Sequence, residues 1–256
     1  MSALPLPLPL PLPLPPVDGY AADIYSAADP STWDWRLALI RFVGLDIGMR
    51  SDHSAYVVLG AWRTAAGITM APIDSRQFPL QTPYEDVAID TAAAHQQYDA
   101  RVVVDCSNAA PFLGLLAPRM RDPKNNLVAA AITSARDHNP QPARRLVGLG
   151  ASQITIPLFA LGKMPLLQAI NFGVSDGSLR PSHAGHWELL MAEMEAVQLN
   201  EHKSKSYGAS AAPGQHDDMV MAMALSVWAC SYFGGLIMRA PRPLGRRPPP
   251  SPLAWT

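Results

Sequence analysis

The segment Met219–Cys230, MVMAMALSVWAC, constrains the fold more than any other, because it is apolar almost all the way round a helix. Such a helix has to be enclosed. It is shorter than the roughly 18–20 apolar residues a membrane span requires, and no other run in the chain reaches that length. The enclosure must therefore come from the rest of the protein, and no membrane partner is expected. With 48% apolar and only 16% charged residues in 256, the chain can build one sizeable core with tails, and a largely disordered chain is excluded.

What surrounds that helix follows from periodicity. Leu37–Ile47, Ser54–Trp62 and Ile68–Phe78 read as three strands, with Gly67 in the second turn. A helix opening at Pro83–Glu85 and running to about Tyr98 follows. Arg101–Asp105, RVVVD, is continuously apolar and β-branched, the pattern of a strand covered on both faces. A helix over Pro111–Met120, a buried strand over Leu127–Thr133 and helices over Lys163–Phe172 and Trp187–Asn200 complete the pattern. In the last of these Trp187, Leu190, Met194 and Val197 face inward, and Glu188, Glu195 and Glu201 face outward. The closing helix spans Asp217 to about Tyr232. Strands alternating with helices in this way make an α/β layered domain over residues 37–235. Residues 1–36 hold a Leu-Pro tract, read as an extended polyproline rod, and a lead-in. Residues 236–256 form a basic Pro/Arg-rich tail.

Charge is divided along the chain. Residues 1–100 carry 5 basic against 11 acidic side chains, and residues 101–256 carry 15 against 10. The basic half suits a polyanion or simply a solvated surface, and Arg144, Arg145, Lys203 and Lys205 are its weak candidates for DNA phosphate contacts. Two cysteines with no CxxC argue against a disulfide framework or a zinc ribbon and fit a reducing cytosol. The histidines lack HExxH or other paired ligand spacing, and Ser152 has no GxSxG context.

Three aspartate motifs remain. Asp46 lies in GLDIGMRSD, within a run otherwise apolar, where an ionised carboxylate costs several kcal/mol unless a cation or strong donors compensate it. Gly48 beyond it allows close approach to the backbone. Asp105 ends the strand in VVVDCSN, where open α/β sheets place their ligands, although Ser107 and Asn108 equally suit a turn. Asp217 and Asp218 open the buried helix in GQHDDMVMAMALSVWA. One of them suffices as a helix cap, and the pair next to His216 asks for more than capping. Successive helical positions point about 100° apart, so one of the two enters a shared site squarely. Two unscreened carboxylates ~4 Å apart repel by about 4 kcal/mol at an effective dielectric near 20. The cluster therefore makes sense as a cation site, with the carboxylates within reach of shared ions.

Asp46 on a first strand, Asp105 ending a fourth and the HDDMVMAMALSVW helix together resemble the nuclease domain of the phage large terminase subunit. The stretch GKMPLLQAINFGVSDGSLRP followed by WELLMAEMEAV is also similar, and the resemblance runs from about Phe42 to Trp228. It implies an RNase H-like fold, with a mixed five-stranded sheet flanked by helices. It also implies a two-metal endonuclease that cuts concatemeric double-stranded DNA during packaging in the host cytoplasm. Asp46 and Asp105 are then ligands of two Mg²⁺ or Mn²⁺ ions, and Asp217 or Asp218 supplies a third carboxylate. Asp52 and His216 are supporting candidates near the ions.

The chain departs from that family in lacking a GxxxxGK[ST] phosphate loop, and only residues 1–36 precede the first strand. A separate terminase ATPase, with a small subunit and portal, is the implied set of partners. A split or prophage-remnant gene and a standalone nuclease are the other readings. Junction resolvase-like or transposase-like nucleases share the same acids. An actin-like or sugar-kinase ATPase shares GLDIG but needs a second phosphate loop, and a non-catalytic adaptor needs no intact acids.

Overall fold

The computed structural model describes residues 30–48, 52–64, 67–107, 109–134, 142–149, 152–182, 185–203 and 217–239. The Leu-Pro tract, Asn108, Lys205, His216 and the basic tail beyond residue 239 lie outside the described residues. One mixed sheet organises the molecule. Its strands are β1 (Ile40–Asp46), β2 (Ala55–Thr64), β3 (Gly67–Gln77), β4 (Arg101–Asp105), β5 (Leu127–Thr133), β6 (Ala143–Leu149) and β7 (Ser152–Gly162). They lie in the order β3-β2-β1-β4-β5-β7-β6. β1, β2 and β3 form an antiparallel meander, and β4 and β5 extend it in parallel. β7 adds in parallel to β5, and β6 runs antiparallel along the far edge.

The α/β class with a mixed sheet between helices is as expected, but the sheet has seven strands rather than five. β6 and β7 escape a reading by alternation for a physical reason. Residues 152–157 of β7 pair only with β6, so Pro157 can lack an amide hydrogen without breaking a ladder on both sides. β6 is an edge strand that exposes both Arg144 and Leu146, which blurs its period.

The helices are α1 (Tyr84–Tyr98), α2 (Phe112–Leu116), α3 (Lys163–Asp176), α4 (Trp187–Lys203) and α5 (Asp218–Arg239). α1 ends where Asp99 turns left-handed with φ 47°, and α3 ends at Gly177 with φ 76°. Two short 3-10 turns, Pro30–Thr32 and Trp35–Leu37, close the expected lead-in and pass its boundary by one residue, and the Trp33 ring between them meets Trp62 edge-on at 5.1 Å.

Strand alternation sorts the core into two layers. Val43, Leu45, Tyr56, Val58, Val102 and Val104 face α1 and α2. Phe42, Val57, Leu59 and Val103 face α3, α4 and α5. The enclosed helix foreseen from its sequence is α5, whose residues from Met219 to Cys230 are all buried. It lies directly on β1 because Gly44 has no side chain: a Cβ there would collide with the Ala222 carbonyl. Ser226 uses that closeness. Its hydroxyl accepts from the Gly44 amide at 2.7 Å and donates to the Val57 carbonyl at 2.8 Å. This polar clasp fixes α5 lengthwise on β1 and β2.

Candidate metal centre

β1 and β4 are parallel, and Leu45 pairs with Val104, so Asp46 and Asp105 are the next residues on adjacent strands. By alternation Asp46 shares the face of Phe42 and Gly44, and Asp105 shares that of Val103. Both aspartates thus lie on the α5 side, at the strands' C-terminal ends, where an open α/β sheet leaves a crevice.

The clasp at Gly44 then brings the helix acids to them. Asp218 lies one turn before Ala222 on α5, and Asp46 lies two residues beyond Gly44 on β1. Asp217 precedes the helix, and its carbonyl receives the Met221 amide at 2.8 Å. The two aspartates take different partners. Asp217 Oδ2 lies 2.7 Å from Lys163 Nζ, the ammonium of the first residue of α3. Asp218, 6% exposed, accepts the His53 amide on Oδ2 at 3.2 Å. Asp105 Oδ1 accepts both the Ser107 amide at 2.9 Å and its hydroxyl at 2.6 Å. The turn-forming role that Ser107 suggests is therefore present.

Asp46 keeps a small opening to solvent at the end of β1, yet dense protein surrounds its carboxyl. Its pKa stands well above the ordinary carboxylate range. Burial is the main cause, followed by the negative charges of Asp105, Asp218 and Asp217, with Lys163 opposing. Carboxylates from two other segments therefore bear on Asp46.

Among the described residues, no three His, Cys, Asp or Glu side chains are drawn together tightly enough to hold an ion as they stand. Each of the other acids has a donor of its own: Lys163 for Asp217, the His53 amide for Asp218 and Ser107 for Asp105. The chemistry of the donor set still fits a hard divalent cation. It consists of carboxylate oxygens only, and a positive charge would offset the negative charges facing Asp46.

Asp52, a supporting candidate from sequence, is exposed and lines a cavity of about 410 Å³ with Gly48, Ser54, Pro79, Gln81, Thr82 and Tyr84. The neighbouring His53 amide, not Asp52, makes the hydrogen bond to Asp218. Arg144 and Arg145 lie on β6, three strands away from β4. Arg145 pairs in register with Ile156 and so points to the α1 and α2 side, whereas Arg144 shares the face of the acids on the outermost strand. Lys203 is the last residue of α4.

Two further residues meet the acids or the helix that bears them. Lys163 heads a helix legible in the sequence, but its approach to Asp217 depends on β7, whose pattern hides it. Glu193 lies on the inner side of α4, 6% exposed, with its pKa pushed up to about 7 by burial and by Asp218 and Asp217, against hydrogen bonds from the Val220 and Met219 amides. Its signal was a carboxylate one position before the core residue Met194.

No protein-family signature and no curated protein matches the sequence. Solved structures do. The large terminase nuclease from thermophilic phage G20c is 17% identical, with 73% of this chain and 80% of that one covered and a TM-score of 0.43. The human cytomegalovirus terminase nuclease domain, Mn soaked and inhibitor bound, is 14% identical, with 78% and 86% covered and a TM-score of 0.47. A further structure of the human cytomegalovirus terminase nuclease domain covers 77% of this chain and 86% of its own, at 14% identity and a TM-score of 0.45. Among the described residues, no helix is long and apolar enough to cross a membrane.

Proposed function

We propose that the chain is a divalent-cation-dependent DNA endonuclease of the terminase nuclease type, with Asp46, Asp105, Asp217 and Asp218 holding two Mg²⁺ or Mn²⁺ ions. One observation carries this reading: Asp46 is a largely buried carboxylate at the end of β1, and the charges of Asp105 on β4 and of Asp217 and Asp218 at the start of α5 act on it besides. Such a cluster costs stability in the cation-free protein and gains it when a cation binds, about 2.7 kcal/mol at a 100-fold excess over the dissociation constant. Bound ions would supply an activated water and stabilise the charge on the leaving oxygen of a phosphodiester. The chain's own residues hold and orient. Ser107 steadies Asp105, the His53 amide steadies Asp218, and Lys163 pairs with Asp217. With an ion held at Asp217, the Lys163 ammonium would be available to a DNA phosphate. The substrate in this reading is double-stranded DNA, cut during genome packaging in the host cytoplasm. A separate ATPase motor, a small subunit and a portal are the partners.

The test is nicking of supercoiled plasmid in Mn²⁺ by the wild-type protein and by Asp105→Ala. Wild type converts the plasmid to open circles, and the variant is slower by more than about 100-fold, beyond the 10–100-fold typical of losing an outer partner of a metal ligand. Equal cutting by both proteins, or none by either, overturns the reading.

A further inference from the structure

We propose that Glu193 is a positioning residue for this centre: it grips the first turn of α5 and thereby sets Asp217 and Asp218 relative to Asp46 and Asp105. The inference rests on the metal-dependent reading above and concerns a residue to which that reading gives no role.

Leu190 and Met194 are core residues of α4, and Glu193 is buried between them in sequence. An ionisable group in that position is tolerated only where donors replace water. Glu193 Oε2 accepts the Met219 amide at 2.8 Å and the Val220 amide at 3.2 Å, two of the amides a helix start leaves without partners. Its Oε1 accepts from Gln77 Nε2 at 3.2 Å.

Gln77 is itself anchored. Its amide donates to His186 Nδ1 at 3.1 Å, the His186 amide donates to the Ser75 carbonyl at 3.1 Å, and the Leu190 amide returns to the His186 carbonyl at 3.2 Å. The end of β3, the start of α4 and the start of α5 are therefore one hydrogen-bonded unit with Glu193 at its junction. Both of its oxygens are engaged by donors, so it acts through the helix rather than as a ligand. The arrangement also divides labour. A helix start usually takes its cap from its own first residues, but here the Met219 and Val220 amides go to a carboxylate on another helix. Asp217 and Asp218 turn instead to Lys163 and His53, on the side of the other acids.

The experiment compares wild type, Glu193→Ala and Glu193→Gln by Mn²⁺ titration (free ion followed by electron paramagnetic resonance), by amide hydrogen exchange at Met219 and Val220, and by plasmid nicking against Mn²⁺ concentration. Glu193→Ala is expected to weaken Mn²⁺ binding about 10–100-fold, to speed exchange at both amides, and to recover most of its nicking rate at saturating Mn²⁺. Glu193→Gln keeps an acceptor oxygen and restores both binding and protection. Unchanged Mn²⁺ affinity in a folded Glu193→Ala protein overturns the proposal, as does a Glu193→Gln protein that has lost affinity and protection. The second criterion decides alone if the alanine variant does not fold. A wild type that binds Mn²⁺ without cutting DNA sinks the nuclease reading and leaves the Glu193 comparison standing, and one that binds no Mn²⁺ overturns both.

Discussion

On the face covered by α1 and α2, strands β1 and β4 present Val43, Leu45, Val102 and Val104 to Phe112, Leu113 and Leu116. On the face covered by α5 the same two strands present Phe42, Gly44 and Val103 and then end in Asp46 and Asp105. The first face is a dry layer in which each side chain adds burial. The second gives up a side chain at Gly44 to admit α5, spends Ser226 and Glu193 on buried hydrogen bonds, and gathers carboxylates that repel one another. Because successive strand residues alternate between faces, one strand serves both ends. The α1 and α2 face adds burial alone, whereas the α5 face, itself a large apolar layer, also carries an unfavourable cluster at the strand ends. Changes on the two faces should therefore separate stability from metal-dependent chemistry.

The largest separation is expected at the acids. Asp46→Asn should lower Mn²⁺-dependent nicking by more than about 100-fold, while the cation-free protein unfolds at the same temperature as wild type or a few degrees higher, since a repelled carboxylate is gone. Calorimetry in a chelator beside a nicking assay checks it, and a marked drop in melting temperature would assign Asp46 to stability instead. Leu45→Ala, one residue away on the other face, should do the reverse. A fully buried leucine truncated in place costs about 2–5 kcal/mol, yet the folded fraction should keep its Mn²⁺ dependence; a shifted half-saturating concentration would break the contrast between faces. Gly44→Ala tests the clasp. Its Cβ meets the Ala222 carbonyl, so α5 must move off β1 at a cost of about 1–3 kcal/mol. Because Asp218 rides on that helix, both melting temperature and Mn²⁺ affinity should fall together. Ser226→Ala keeps the spacing and strands the Gly44 amide, and should cost about 1–3 kcal/mol.

Much of this contrast could be read from the chain, because its carriers are local. RVVVD declares a strand covered on both sides, and an all-round apolar helix headed by two aspartates declares burial and charge within one turn of each other. Asp46 stood out because nothing nearby in its apolar run could satisfy it. The long-range half was not legible. Glu193 sits at an ordinary helical spacing beside Leu190 and Met194, and its partners are backbone amides 26 and 27 residues away, which leave no mark on composition. Lys163 depended on recognising β7, whose Pro157 and one-sided pairing hide it. Gly44 reads as one glycine among several until a helix is laid across it.

The smallest expected effect is a slope with pH, and it belongs to the acidic face alone. Glu193 has its pKa raised from 4.5 to about 7 by burial first, and Asp46 is shifted in the same direction by burial and its neighbours. For a carboxyl with a raised folded-state pKa, the folded protein binds more protons than the unfolded chain between the two values. Cation-free stability should therefore fall as pH rises from about 4.5 to about 7 on account of Glu193. Thermal unfolding in chelator across that range reads the slope. Glu193→Gln should flatten one part of it and Asp46→Asn another, whereas Leu45→Ala should lower the whole curve and leave its slope unchanged. Divalent cations should remove the Asp46 part, since an ion takes the place of the proton, and leave the Glu193 part, whose oxygens are already held by amides. A melting temperature that climbs with pH in the absence of cations would mean that the acids at the end of the sheet do not burden the fold, and the division between its two faces would lose its physical basis.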